Sequence, residues 1–275
     1  MSKSFGYLSP TLAMALPAAL PLALMASSSA QAVSFRLDFA SDVPDGFQQA
    51  TREAADLWSS LLMDDVIVDL RIEYADLSAA GTVLGGVQPN KIKVKYEDYV
   101  EALLKDASSS HDFLGIDHMQ ISAKGREAIQ KFHAGQLDLD NIKLESKEFV
   151  FLMDGEFANG NSWRNPQPDF IDNNGNNNNK NVQLTSAQAK ALNLLNANQK
   201  GLDALITLNS AVHWDLNASD GIDRDRYDLS SVLQHEIGHA LGIISGVDTL
   251  DFLATSSAPT DIEDIEKMHS PISRL

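Results

Sequence analysis

The sequence has 275 residues, with 38 Asp and Glu against 21 Lys and Arg, a net charge of −17 and no cysteine. So acidic a surface repels phosphate groups, which argues against nucleic-acid partners and anionic membranes. Because cysteine is absent, disulfides and thiolate metal ligands are excluded, and any transition-metal site must use histidine and carboxylate side chains.

Residues 1–32 are predicted to be a secretory signal peptide. Lys3 gives a short, positively charged N-terminal region, and the apolar run TLAMALPAALPLALMA follows it. The residues AQA at 30–32 then form a small-x-small cleavage site. A membrane anchor is less favoured, because two prolines interrupt a run that is already short for a span. We therefore expect a secreted or periplasmic protein, no membrane association after cleavage, and one mature domain over residues 33–275.

The beginning of the mature chain predicts strands and helices in alternation. Residues 33–40 and 66–77 alternate apolar and polar side chains as strands do, whereas residues 46–62 place their apolar side chains on one helical face. A strand, a helix and a second strand in this order indicate a βαβ-like opening. Residues 91–107 then predict a short extended piece followed by a helix.

The middle of the chain predicts two further helices around a polar loop. Residues 122–135 are typical of a helix, and the Asn-rich stretch 173–181 predicts an exposed loop, because Asn competes for backbone hydrogen bonds. Residues 184–195 predict a short helix with Thr185 or Ser186 as its N-cap. No internal repeat is evident in the mature chain.

One predicted helix carries the residues with the clearest chemistry. It begins near Asp228, a residue suited to cap it, and ends at Gly242. Its apolar stripe, which we expect to pack into the core, consists of Leu229, Leu233, Ile237, Ala240 and Leu241.

A histidine pair lies on a different face of this helix. His235 and His239 are one turn apart, so both imidazoles can point at one metal ion. Glu236 stands close to that face and can take a proton from a zinc-activated water without being a ligand. The HExxH spacing thus predicts a zinc cofactor, His235 and His239 as its ligands, and Glu236 as the catalytic general base. The alternative is a pair of surface histidines on an ordinary helix.

The segment HEIGHALG resembles the zincin metallopeptidases, and HExxHxxG is similar to their metzincin branch. A wider resemblance, over residues 54–74 and 205–248, is to secreted bacterial metalloproteases, some of which carry a PEP-CTERM sorting tail. The resemblance implies an α+β, zincin-like fold, in which a twisted mixed sheet lies over helices and the active-site helix carries HExxH. It also implies a zinc metalloendopeptidase that hydrolyses protein or peptide substrates.

The third zinc ligand is the point at which the chain departs from that branch. The resemblance places this ligand three residues after the glycine, where the chain has Ser245, whose neutral hydroxyl is a poor zinc ligand. Asp248 is the favoured replacement, because it is anionic and follows a second glycine, Gly246. Asp251 and His269 are the alternatives.

The resemblance bears on the length of the domain as well. Related enzymes generally continue with a His-bearing segment and a Met-containing turn, whereas this chain ends 36 residues after His239. We therefore expect the domain over 33–275 to be incomplete at its C-terminus. The alternative function is an inactive secreted binding or surface protein with a vestigial zinc helix, and a non-peptide substrate is a third hypothesis.

Two segments before the histidine helix predict supporting roles, one in binding substrate and one in binding calcium. The strand predicted at residues 203–210 is expected at the sheet edge above the active-site helix, where zincins pair with extended substrate. The acid-rich stretch 215–225 is compatible with calcium, although it does not match the EF-hand pattern and its acids also suit turns.

Three further histidines and two aromatic residues near them predict structural rather than catalytic roles. His213 and Trp214 predict a packed pair in a loop, while His111 and His118 predict solvated residues rather than a second metal site. Tyr227 predicts packing at the helix entry rather than a catalytic role. The sequence predicts no oligomeric state.

Overall fold

The computed structural model of the chain describes residues 32–81, 83–119, 121–138, 141, 151–153, 170–172 and 177–244. The strands are, in chain order, β1 (Ser34–Phe39), β2 (Ile67–Ala75), β3 (Gly85–Pro89), β4 (Lys91–Lys95), β5 (Phe151–Met153), β6 (Phe170–Asp172), β7 (Asn181–Thr185), β8 (Ala204–Asn209), β9 (Trp214–Asp215) and β10 (Tyr227–Asp228). The helices are α1 (Asp45–Leu61), α2 (Tyr96–Asp106), α3 (Ser110–Asp117), α4 (Ala123–His133), α5 (Asn177–Lys180), α6 (Ser186–Ala191) and α7 (Leu229–Ala240). None of these helices has the length and apolar character needed to cross a bilayer.

The central sheet is mixed, with the strand order β1-β2-β8-β3. Strands β1, β2 and β8 are parallel, and β3 pairs with β8 in the antiparallel direction. Because α1 connects β1 to the parallel strand β2, the predicted βαβ-like opening is confirmed. The described part of the protein is therefore of the α+β class with a mixed sheet, as the sequence predicts at that level.

One face of this sheet is apolar and the other is charged. Val68, Leu70 and Ile72 of β2 are fully buried, and the residues between them point to the opposite face. On that opposite face Arg36 of β1 is paired with Asp69 of β2. Helices α1 and α7 cover the apolar face and contact each other, so the main core lies between the sheet and these two helices.

A second hydrophobic cluster lies beside the main core. It is formed by α2, α3, α4 and the two-stranded ribbon β4–β7, with Val100, Leu104, Ile129, Val182 and Leu184 almost completely buried. The helices predicted over residues 91–107 and 122–135 thus correspond to α2 and α4.

The Asn-rich stretch is not the loop that its composition predicts. Its described part forms α5, and Asn181 begins β7, which pairs with β4. The side chain of Asn181 donates to the Asn177 carbonyl at 2.7 Å, and Lys93 of β4 donates to the Asn177 side chain at 2.7 Å. The loop prediction failed because the partner strand is remote in sequence. Residues 173–176 lie outside the described residues.

A buried polar network attaches α6 to the central sheet. The side chains of Lys190 and Asp203 are both almost fully buried, and their charged atoms are 2.5 Å apart. Lys190 also donates to the Ile67 carbonyl at 2.9 Å, and Ser186 donates to the Asp203 carboxylate at 2.6 Å. A buried ion pair needs further hydrogen bonds to its charged groups, and these two bonds contribute to that requirement. This network fixes the position of α6 relative to β2 and β8.

Candidate metal centre

Helix α7 carries the HExxH residues and has the ends predicted from the sequence. The Asp228 side chain accepts hydrogen bonds from the backbone N–H groups of Ser230 and Ser231 at 3.0 and 3.3 Å, which is an N-cap. The predicted apolar stripe is buried in the main core, with Leu229, Leu233, Ile237 and Ala240 showing no exposure and Leu241 partly buried. The polar side chains of α7, including His235 and His239, therefore lie away from this buried stripe.

The C-terminal end of α7 is a Schellman motif centred on Gly242. Gly242 has φ of +105°, its N–H donates to the His239 carbonyl at 3.1 Å, and the Ile243 N–H donates to the Gly238 carbonyl at 3.0 Å. A positive φ favours glycine, which explains the glycine that the motif carries at this position. The turn brings the Ile243 carbonyl back over the last turn of the helix.

The two histidines of the motif lie together on the outer side of α7. Their ring centroids are 4.3 Å apart with an interplanar angle of 76°; His235 is exposed and His239 is partly buried. His239 Nδ1 is 2.6 Å from the Ile243 carbonyl oxygen. Since a carbonyl can only accept, this contact requires a proton on Nδ1, and in the neutral imidazole Nε2 is then the nitrogen that carries the lone pair. Metal-binding histidines are commonly oriented by such a bond from the other ring nitrogen.

Glu236 lies on the inner side of the histidine pair. Only 6% of its surface is exposed. Burial raises the pKa of the Glu236 carboxyl, and the nearby imidazoles of His235 and His239 partly offset this increase. A carboxylate whose pKa is raised binds a proton more readily than an ordinary surface glutamate does.

Helix α1 packs against the helix turn that carries the histidines. The Trp58 indole N–H donates to the Gln234 carbonyl at 3.1 Å. A Cβ atom on Gly238 would lie 3.2 Å from the Trp58 ring, so glycine at this position permits the close approach of the two helices. This contact is not predictable from the sequence, in which the glycine inside the HExxH motif is its one sign.

The prediction that residues 203–210 form the sheet edge was wrong. They form β8, which lies between β2 and β3, so its backbone groups are engaged on both sides. The edge strand beside α7 is β3, which runs antiparallel to β8 and contacts the helix. Its sequence, GGVQP, has two glycines and a proline and lacks clear alternation, which explains why it was not recognised as a strand.

The hydrogen bonds at the two ends of β3 show which backbone groups face outward. The Asn209 N–H donates to the Leu84 carbonyl at 2.9 Å, and the Asn90 N–H donates to the Asp203 carbonyl at 2.7 Å. Because inward and outward groups alternate along an antiparallel strand, the N–H and C=O groups of Gly85 and Val87 point away from β8. Within the described ranges, no strand pairs with this outer edge.

The candidates for a third metal ligand lie outside the described residues. These are Asp248, Asp251 and His269, together with Ser245, the position that the resemblance indicates. In the part of the chain that the structure describes, no group of three His, Cys, Asp or Glu side chains is arranged to hold a metal ion. The imidazoles of His235 and His239, on one helical face, are nitrogen ligands of the kind that zinc prefers.

In the acid-rich loop after β8, the carboxylate of Asp215 accepts hydrogen bonds from the backbone of the loop itself. Asp215 accepts the N–H groups of Asn217 and Asp223 at 2.8 and 2.7 Å, one on each oxygen. These bonds to Asp223 and Asn217, aided by the charge of Arg226, lower the pKa of Asp215. Calcium binding by this loop stays a prediction, and the hydrogen bonds account for Asp215 without an ion.

The structure also describes His213, His111 and His118, for which the sequence predicts structural or solvated positions. His213 is exposed, whereas Trp214 is buried, packs against Phe47 and donates to the Asn209 carbonyl at 2.8 Å. Packing in this loop is thus confirmed for the tryptophan alone. Tyr227 lies next to Trp214, with ring centroids 6.5 Å apart, but it is 39% exposed, so the packing predicted at the helix entry is confirmed only in part. His111 and His118 are exposed on and after α3, also as expected.

Comparison of the chain with protein-family models, with curated proteins and with solved structures finds no match. The residues of α7 and β3 and their geometry are therefore the observations that bear on function.

Proposed function

We propose that this protein is an exported zinc metallopeptidase. The observation that supports this best is the arrangement on α7, where His239 Nδ1 contacts the Ile243 carbonyl, the His235 ring lies beside the His239 ring, and the neighbouring Glu236 is buried. The signal-peptide pattern at residues 1–32, which lies outside the described residues apart from residue 32, supports export to the periplasm or beyond the cell.

In the proposed hydrolysis, the histidines of α7 would bind the zinc ion and Glu236 would transfer the proton. His235 and His239 would hold the zinc ion, together with a third ligand for which Asp248 is our choice. The ion, when bound, supplies a Lewis acid and an activated water for attack on a peptide carbonyl. Glu236 accepts the proton of that water, and its burial suits this role because a raised pKa makes the carboxylate a better base.

The outer edge of β3 supports a peptide as the substrate. An extended peptide can add to an open strand edge through main-chain hydrogen bonds, which are tolerant of side-chain sequence. Gly85 and Val87 offer outward N–H and C=O groups next to α7, whereas Pro89 lacks an N–H and limits the length of this ladder.

Metal analysis combined with a peptidase assay tests this proposal. The purified mature protein is expected to hold one zinc per chain and to cleave casein, and a chelator should abolish the cleavage. If the protein retains zinc but cleaves neither casein nor unstructured peptides, the inactive binding protein becomes the better description. A protein that retains no zinc at all would overturn the proposed site.

The identity of the third ligand gives a separate prediction. Asp248→Ala is expected to weaken zinc binding by about tenfold or more, because it removes an anionic ligand or a group that orients one. Ser245→Ala is the matched control and should leave zinc affinity nearly unchanged, since a neutral hydroxyl competes poorly with water. Competition with a zinc chelator measures both affinities. Equal affinities for the two variants would remove Asp248 from the site and direct attention to Asp251 and His269.

A further inference from the structure

The turn that follows the histidine helix lies directly against a glutamine of another helix. A Cβ atom on Gly242 would lie 2.1 Å from Gln188 Cδ and 2.4 Å from Gln188 Nε2, so the glutamine side chain occupies that space. Gln188 Nε2 also faces the Gly242 carbonyl oxygen at 3.5 Å, the outer limit of a hydrogen bond. The contact joins residues 54 positions apart in the sequence.

The orientation of the Gln188 amide is determined by the cap of its own helix. Gln188 Oε1 accepts the Thr185 N–H at 3.0 Å, and the Thr185 hydroxyl accepts the Gln188 N–H at 3.2 Å. This reciprocal pair is a capping box. Because Oε1 is occupied, the NH₂ group must point away from the cap, which is the direction of Gly242. The buried Lys190–Asp203 pair holds α6 itself against the sheet.

The turn supported in this way carries the hydrogen-bond partner of His239. The residue after Gly242 is Ile243, whose carbonyl oxygen is 2.6 Å from His239 Nδ1. The side chain of Ile243 is half exposed, so its own burial does little to hold the turn. A shift of the turn by about 1 Å would lengthen that hydrogen bond beyond its useful range and remove the preference for the proton on Nδ1 over Nε2.

We propose that Gln188 is a positioning residue of the metal centre. It holds the Gly242 turn from outside, so that the Ile243 carbonyl selects the Nδ1–H tautomer of His239 and leaves Nε2 free to bind the metal. This inference deepens the proposed function and rests on it for the zinc itself, whereas the tautomer selection belongs to the metal-free protein. Gln188 acts through the turn and through His239, and it does not touch the metal.

Three variants separate this role from a general effect on α6. Gln188→Glu keeps an oxygen for the Thr185 N–H and so keeps the cap, but it places a second oxygen against the Gly242 carbonyl. Gln188→Met keeps the length of the side chain and provides neither a donor nor a charge. Thr185→Ala is the matched control, because it removes the hydroxyl half of the same cap and leaves the Gln188 amide in place.

The first measurement is made on metal-free protein. The ¹⁵N chemical shifts of the His239 ring are recorded at pH about 9, well above the usual imidazole pKa of about 6.5, so that neutral imidazole is observed. The wild type and Thr185→Ala should show the Nδ1–H tautomer. Gln188→Glu should move population to the Nε2–H tautomer, and Gln188→Met should do so to a smaller extent.

The second measurement is zinc affinity by chelator competition. Gln188→Glu is expected to lose about tenfold in affinity, the size of effect common for residues that orient a metal ligand, and Thr185→Ala much less. Wild-type tautomer populations and affinity in both Gln188 variants would overturn the inference even if the protein proves to be a zinc peptidase. Equal losses in Thr185→Ala and Gln188→Glu would overturn it too, because they would indicate loosening of α6 as a whole. Absence of zinc binding in the wild type would instead count against the proposed function, and the tautomer result would still decide the role of Gln188.

Discussion

Replacement of Glu236 by glutamine is expected to lower peptide hydrolysis by about 10²- to 10⁴-fold, the usual contribution of a general base, with no loss of zinc. Glutamine preserves the shape of the side chain, so it should fit the largely buried site without disturbing α7. Its amide cannot accept the proton of the attacking water. The histidines would still hold the metal, because Glu236 is adjacent to the ligands and is not one of them.

A matched variant shows whether the loss is specific to this carboxylate. Glu127→Gln removes an exposed helical glutamate that pairs with Lys131, an interaction of small energetic value. It should leave the rate of casein cleavage unchanged. A Glu236→Gln protein that keeps most of its activity would exclude Glu236 as the base, and one that loses zinc would place Glu236 among the ligands.

Replacement of His239 by alanine is expected to reduce zinc binding on the order of 100-fold or more. Structural zinc sites bind with about 10–16 kcal/mol shared among about four ligands, so each ligand contributes roughly 3 kcal/mol. The substitution also removes the hydrogen bond to the Ile243 carbonyl, although alanine itself favours a helix. The variant should therefore remain folded, with most of its zinc lost on dialysis.

His111→Ala is the control for this experiment. His111 is exposed on α3, away from the main core, and its loss should change neither the zinc content nor the fold. Elemental analysis after dialysis compares the three proteins, and circular dichroism checks that each is folded. Equal zinc in His239→Ala and in the wild type would show that the metal, if present, is bound elsewhere.

The residues of α7 were predictable because their signals are local. An Asp cap, an apolar stripe and a glycine after the last turn specify where the helix starts, which side is buried and where it stops. The placement of His235 and His239 on the other side then follows from helix geometry alone. The βαβ opening was predictable for the same reason, since β1, α1 and β2 are consecutive and each has its own periodicity.

The tertiary structure alone decided which groups surround this helix. The nearness of β8 to α7 in the sequence predicts that β8 is the edge strand. Instead, β3 pairs with β8 and forms the edge, although it lies more than a hundred residues upstream of α7. Pairing partners are set by packing across the whole sheet, and a short Gly- and Pro-containing strand has no periodic pattern to reveal it. The strand β7 was missed for the same reason, because its partner β4 is remote.

The contacts that position the histidine pair could not be predicted from the sequence either. The T-x-x-Q pattern at Thr185 predicts a capped helix, but not that the glutamine amide meets the Gly242 turn. Likewise, Lys190 and Asp203 appear as ordinary surface charges until folding buries them together. Local sequence determined the donor atoms of the proposed zinc site, because helix geometry acts over a few residues. Contacts between distant segments determined how those atoms are oriented, because only the folded chain brings α1, α6 and β3 to α7.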